Sequence, residues 1–229
     1  MEQSSQHQLE KKWQARGVYM TARKLKFKPD MKNSIDYYNF CTANNDLPIL
    51  KILNERFSRS FRVSLSNHMR MISNIDYSDQ KITFSEWQEN NKHTNCIFIM
   101  KLQKFSTPLL VKFNRALAYG IIDTLTGGTG DDFKDGSDKE MTQIELSLLK
   151  DVGLKLIDDL NIAWNPVHEV KAKYVRTEVN AQFVGIVPPD SKVIKVDFKV
   201  NFNNVNGVIE VLYPYSTLFP MRNELFASQ

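Results

Sequence analysis

Asn95-Cys96-Ile97-Phe98-Ile99-Met100-Lys101-Leu102 is a nearly continuous apolar run, and Pro108-Leu109-Leu110-Val111-Lys112-Phe113 follows it closely. Runs of this length, rich in β-branched and aromatic residues, predict strands, the first covered on both sides. A helix is expected from Ala116 to Leu125, stopping at Gly127. About a hundred residues further on the same order returns: Val193-Ile194-Lys195-Val196-Asp197-Phe198-Lys199-Val200, then Val208-Ile209-Glu210-Val211-Leu212-Tyr213, then a helical segment from Thr217 to Phe226. The runs from Thr94 to Leu125 and from Ser191 to Leu225 read as one unit written twice. A period this long is not that of a solenoid, whose repeats are about 20–50 residues. It points to a duplicated half-domain whose two copies share one core.

Each copy is preceded by a long amphipathic segment. Ile49, Leu53, Phe57, Phe61 and Leu65 fall four apart, the spacing of one helix face, with Asp46 as the expected cap. Leu148, Val152, Leu156 and Leu160 repeat that spacing, and Thr142 with Glu145 forms a capping box in front of them. Further strands are expected over Lys81-Ile82-Thr83-Phe84-Ser85-Glu86-Trp87, over Val167 to Val175 and over Phe183 to Val187. The halves therefore run from about 46 to 130 and from about 141 to 226, an α+β arrangement.

The chain has 229 residues, 42% of them hydrophobic and 24% charged, with a formal net charge of +4. That composition is of a globular chain with a sizeable core. Cys41 and Cys96 lie far apart and outside any zinc-ligand spacing, so both are read as reduced thiols. No apolar run approaches the roughly 20 residues of a membrane-spanning helix, and the N-terminus lacks the apolar core of a secretion signal.

Residues 1–35 carry eight basic and three acidic side chains, which leaves the remaining chain at −1. Such an arm can hold phosphates of nucleic acid or lipid. Leu9, Trp13, Met20 and Phe27 lie near one helical face that Gly17 interrupts, and no nucleic-acid motif accompanies them. The arm is read as flexible or ordered by a partner, with no nucleic acid as that partner.

Chemistry is sparse. His7, His68, His93 and His168 are scattered, with no metal-binding or nucleophile motif around them, so no catalytic, cofactor-binding or metal residue is assigned. The one unusual stretch is Thr126-Gly127-Gly128-Thr129-Gly130-Asp131-Asp132, which gathers three of the nine glycines. A phosphate loop would need a following lysine and hydroxyl, or a helix start, and aspartates follow instead. Two readings remain: a helix stop leading into a linker, or a docking loop whose missing side chains admit a partner's backbone.

Asn54-Glu55-Arg56-Phe57-Ser58-Arg59, Leu-Thr-Gly-Gly-Thr-Gly at 125–130, Ala163-Trp164-Asn165-Pro166-Val167, Asn180-Ala181-Gln182-Phe183-Val184-Gly185-Ile186-Val187-Pro188-Pro189 and Pro214-Tyr215-Ser216-Thr217-Leu218 stand in this order along the chain. Together they resemble the FliM family of flagellar motor switch proteins. The resemblance covers 36–229 and implies the family's middle domain, a CheC-like pseudo-two-fold α/β/α body. It implies a non-enzymatic subunit of a cytoplasmic ring at the inner face of the membrane, at the flagellar base. Gly127, Gly128, Thr129, Gly130 and Asp131 are implied as the docking loop for the middle domain of FliG. Neighbouring subunits of the ring are implied as further partners, along the long helices.

Two family features are missing. Residues 1–35 hold no counterpart of the acidic-apolar motif that captures phosphorylated CheY, which puts binding by this route in doubt and leaves that regulator an open partner. The SpoA-type domain that pairs with FliN follows, in the family, where this sequence stops, so FliN is not expected as a partner. A truncation, a short form and half of a split protein all fit. The fold implied is also that of CheC-type phosphatases, which carry Glu-x-x-Asn on their helices. The equivalent positions here read Glu55-Arg56-Phe57-Ser58 and Asp151-Val152-Gly153-Leu154, without the asparagine, so hydrolysis of an aspartyl phosphate is the reading not preferred.

Overall fold

A computed structural model describes residues 47–92, 96–103, 107–130, 140–167 and 171–226. Asp46, Cys41, Asp131, three of the four histidines and the basic arm lie outside the described residues. Within them the chain runs α1 (Pro48–Met69), β1 (Ser73–Thr83), α2 (Phe84–Asn90), β2 (Cys96–Leu102), β3 (Leu109–Phe113), α3 (Arg115–Leu125), α4 (Gln143–Trp164), β4 (Ala172–Glu178), β5 (Lys192–Phe202), β6 (Val205–Pro214), α5 (Tyr215–Leu218) and α6 (Arg222–Phe226).

The six strands form one antiparallel sheet in the order β1-β5-β6-β3-β2-β4. Exchanging β1 with β4, β2 with β5 and β3 with β6 returns the same order reversed, which is the signature of a two-fold axis through the β3–β6 pair. The two halves are interlocked. β1 of the first half pairs along its full length with β5 of the second, from Ser73 opposite Phe202 to Thr83 opposite Lys192, and β4 pairs with β2. Neither hairpin is therefore complete without the other half's outer strand.

One sheet face is covered by the long helices. Leu53, Phe57, Phe61 and Leu65 of α1 and Leu149, Val152, Leu156 and Leu160 of α4 are buried against Phe98, Val111, Val196, Phe198 and Val211. Phe57 meets the Phe198 ring edge-on at 4.8 Å, a contact adding about 0.5–1.5 kcal/mol to the burial itself. Gly153 lets α4 settle on the sheet, since a Cβ there would stand 2.8 Å from the Phe98 ring. Thr142 and Glu145 close the expected capping box at the start of α4. Leu148, expected in the buried stripe, is only half-buried, and Leu149 holds its place. α1 is capped at Leu47 with Pro48 in its first turn and no side-chain cap. Proline fits there because that N–H has no helical partner to lose.

The other face carries a thinner layer. Phe84 and Trp87 of α2, with Ala181 and Val184, cover Ile97, Ile99, Leu110, Val193 and Leu212. Burying alternate residues on both faces is why the central strands read as apolar throughout.

Four expected elements differ. The strand expected over Lys81–Trp87 ends at Thr83, whose side chain accepts the Glu86 N–H and starts α2; a Thr cap followed by Glu competes successfully with the alternating pattern. The strand expected from Val167 to Val175 runs instead over Ala172–Glu178, because Val167 belongs to the turn that closes α4, donating to the Trp164 carbonyl. Phe183–Val187 is not a strand: Asn180 accepts the Gln182 N–H and winds Ala181–Phe183 into a 3₁₀ turn. The last helix is broken into α5, a 3₁₀ turn over Phe219–Met221 and α6, as Pro220 demands.

Candidate functional site

The glycine stretch forms a loop directly after α3. That helix is fixed at its start by Asn114, whose carboxamide oxygen accepts N–H groups from Leu117 at 3.1 Å and from Val208 of β6 at 2.9 Å. At its end the Thr126 hydroxyl donates to the carbonyls of Ile122 and Asp123. The chain then reverses through Gly127, whose φ of 96° lies in the left-handed region that glycine enters without steric cost.

The loop is shaped by inward-pointing amides. Gly127 N–H donates to the Thr124 carbonyl at 3.1 Å, Gly128 N–H to the Asp123 carbonyl at 2.8 Å, and Gly130 N–H to the Asp123 carboxylate at 2.7 Å. Asp123 therefore holds two of the three glycines. A Cβ on Gly128 would fall 2.1 Å from that carboxylate, and one on Gly130, at φ 84°, would fall 2.5 Å from a Val205 methyl. Gly130 is buried, Gly128 is half-buried, and Gly127 and Thr129 face solvent. The structure thus brings Gly127, Gly128, Thr129 and Gly130 together on one tip, while Asp131 is not among the described residues.

This geometry excludes a phosphate cradle, because the amides such a site needs are already spent on Asp123 and on helix carbonyls. What it offers is a short tip in a fixed conformation, exposed at Gly127 and Thr129 with Gly128 half-buried between them. Asp123 and Val205 escaped the reading of the sequence. Asp123 does precede the first glycine by one helical turn, the spacing at which a side chain reaches back over a helix end, but Val205 comes from the other half of the chain.

A second concentration of polar groups sits under α2. Glu210 accepts from Lys112 Nζ at 2.6 Å and from Trp87 Nε1 at 2.8 Å, and Lys112 also donates to Asn91. Burial pulls the Lys112 ammonium below the usual lysine range, opposed by Glu210. Beside them Asp197 pairs with Lys195 at 3.0 Å, and burial raises its carboxyl above the usual range. Lys112, Glu210 and Trp87 are tied to one another, so this cluster joins α2 to the sheet and presents no reacting group to solvent.

A shallow groove of about 440 Å³ runs between α1 and α4, lined by Ser64, Asn67, His68, Lys155, Asp158, Asp159 and Ile162. Burial and the nearby Lys155 lower the His68 pKa, so its imidazole is neutral near pH 7. The positions equivalent to a phosphatase motif are otherwise engaged: Glu55 pairs with Arg59, and Ser58 donates to its own helix at Glu55 O. Leu154 offers no polar atom. Cys96 is buried and its thiol is pushed up to about 12, which leaves it unreactive. Among the described residues no three His, Cys, Asp or Glu side chains gather into a metal site, and no helix is long and apolar enough to cross a membrane.

Comparison with known proteins agrees with this architecture. A curated FliM from Borreliella burgdorferi is 28% identical over 172 residues, covering 75% of this chain and 49% of that protein. The FliM of Salmonella typhimurium is 27% identical over 181 residues, 78% of this chain and 54% of its own. The chain thus spans about half the length of these relatives. In fold it is similar to the FliM middle domain of Vibrio alginolyticus, with a TM-score of 0.70 at 24% identity over 77% of this chain and 99% of that one. It is also similar to a chain of the FliG–FliM complex of H. pylori, with a TM-score of 0.73 at 22% identity over 77% of this chain and 97% of that one. The model of the family described as flagellar motor switch protein FliM matches residues 43–229, and the chain belongs to that family.

Proposed function

We propose that the chain is a non-enzymatic subunit of the flagellar motor switch and that its glycine loop docks the middle domain of FliG. In this reading it stands in a ring of like subunits at the inner face of the cell membrane, and relays a chemotaxis signal into the direction of rotation. The observation that carries the proposal is the loop: a tip of Gly127 to Gly130, exposed at Gly127 and Thr129 and preformed by three inward amide bonds, in a chain of the FliM family. A FliM similar in fold to this chain has been solved in complex with FliG, which supports the choice of partner.

A tip whose one side chain is that of Thr129 admits a partner's backbone at Gly127 to within hydrogen-bonding reach, and a loop ordered in advance spares the entropy of ordering it on contact. Phosphatase action is not favoured, because the positions that would orient water hold Ser58, bonded to its own helix, and Leu154.

The test is calorimetric titration of the chain with the middle domain of FliG, beside Gly128→Val. A side chain at 128 collides with the Asp123 carboxylate and displaces the tip. Binding is expected for the wild type and a loss of about tenfold or more for the variant, with melting nearly unchanged. Equal affinities would overturn the loop assignment.

A further inference from the structure

The loop closes the first half of the fold, yet part of its shape comes from the second. Val205, which opens β6 and is only 4% exposed, lies behind the loop. Its methyl groups occupy the positions where a Cβ on Gly120 of α3 and a Cβ on Gly130 would each come within 2.5 Å. A single side chain therefore fills the space between a helix backbone and the loop's last glycine. Two residues further on, β6 lies against α3 at backbone contact, since a Cβ on Gly207 would stand 2.8 Å from Leu117 Cα.

The turn carrying Val205 is itself attached to α1. Asn203 takes the left-handed conformation, φ 46°, and its amide contacts the Met71 sulfur at 3.0 Å, just past the end of α1. Phe202 pairs with Ser73, whose N–H and hydroxyl bond to Ser66 Oγ and the Arg62 carbonyl of α1. From α1 to the glycine loop there is thus an unbroken series of hydrogen bonds and close contacts.

We propose that Asp123 and Val205 are the positioning residues of the docking loop, and that through Val205 the loop's conformation follows the placement of the β5–β6 turn on α1. The proposal concerns how the site is regulated and rests on the docking reading above. Asp123 holds the loop from the front by the Gly130 N–H, and Val205 supports it from behind. A shift of the turn withdraws that support and lets the tip relax. The coupling needs no contact between α1 and the partner, only a shared element that both ends bias.

The experiment measures amide hydrogen exchange at Gly128 and Gly130 by NMR in the free chain, together with affinity for the middle domain of FliG. The variants are Asp123→Ala, Val205→Ala, Ser66→Ala and Asp123→Asn, with Ile121→Val as a core control. Asp123→Ala and Val205→Ala are expected to speed Gly130 exchange about tenfold and to weaken FliG binding about fivefold. Asp123→Asn, which keeps an acceptor, recovers most of both. Ile121→Val lowers the melting temperature while leaving both readouts within about twofold, which separates positioning from general loosening.

Ser66→Ala is expected to speed Gly130 exchange about threefold from a distance, and an unchanged rate there would overturn the link to α1. Unchanged Gly130 exchange in both Asp123→Ala and Val205→Ala would overturn the positioning claim. If the wild type fails to bind FliG, the docking reading falls, while the exchange rates still decide whether these two residues hold the loop.

Discussion

Lys112 on β3 and Glu210 on β6 stand directly opposite each other and close a 2.6 Å ion pair, although only 4% and 10% of their side chains reach solvent. Breaking such a pair costs more than never having had it, because the survivor is left charged and without its counterion. Glu210→Leu strands both the Lys112 ammonium and the Trp87 N–H, and is expected to cost about 3–5 kcal/mol. Lys112→Met with Glu210→Leu should recover most of that, leaving about 1–2 kcal/mol for the indole. Urea titrations of the single and double variants decide it, and equal losses would refute the argument from stranded charge.

Asp197 gives a pH signature of defined sign. Burial raises its carboxyl above 3.8, more than Lys195 lowers it, and its Oδ1 is buried with no partner among the described residues. Below the unfolded value both states hold the proton and no difference arises. As pH rises, the unfolded chain releases it first, so stability falls through the folded pKa and stays lower above it. Asp197→Asn removes that dependence. Its advantage over the wild type should be smallest around pH 3 and grow as the pH is raised to 7, read from melts across that range.

At Gly153 two physical terms oppose each other. Replacing a mid-helix glycine by alanine favours the helix by about 1 kcal/mol. The added methyl, however, would press on the Phe98 ring from 2.8 Å, and that ring is held edge-on by Phe113 at 5.2 Å. Overpacking costs about 1–3 kcal/mol, so Gly153→Ala is expected to lower stability. A higher melting temperature would mean that α4 can slide on the sheet.

The glycines of the loop are not equivalent. Gly127→Ala meets nothing within 4 Å and carries only its backbone strain, about 1 kcal/mol. Gly130→Ala adds a clash with Val205 to similar strain. A double-mutant cycle should therefore show Val205→Ala partly rescuing Gly130→Ala, with a coupling of about 1 kcal/mol, and no coupling to Gly127→Ala.

The duplicated order of elements was legible because burial on both sheet faces writes apolar runs such as Cys96–Leu102 directly into the chain, and Thr142 with Glu145 marked a helix start. β1 was not, since Ser73 to Gln80 is an edge strand rich in polar residues and lacks the apolar signal of the centre. Phe183, 73% exposed, mimicked a strand residue although it sits on a turn. The exchange of outer strands left no local trace, because pairing β1 with β5 spans more than a hundred residues. Within the proposed docking loop, Gly127 to Gly130 stood out by composition, whereas Val205 comes beside them only through the fold.

A body with a two-fold axis has two equivalent ends, but the chain can join its halves only once. The glycine loop stands where that single connection departs from α3, so one of the two related ends is marked. The consequence is polarity: a body descended from symmetry presents two different ends, so one direction along it is distinguishable from the other.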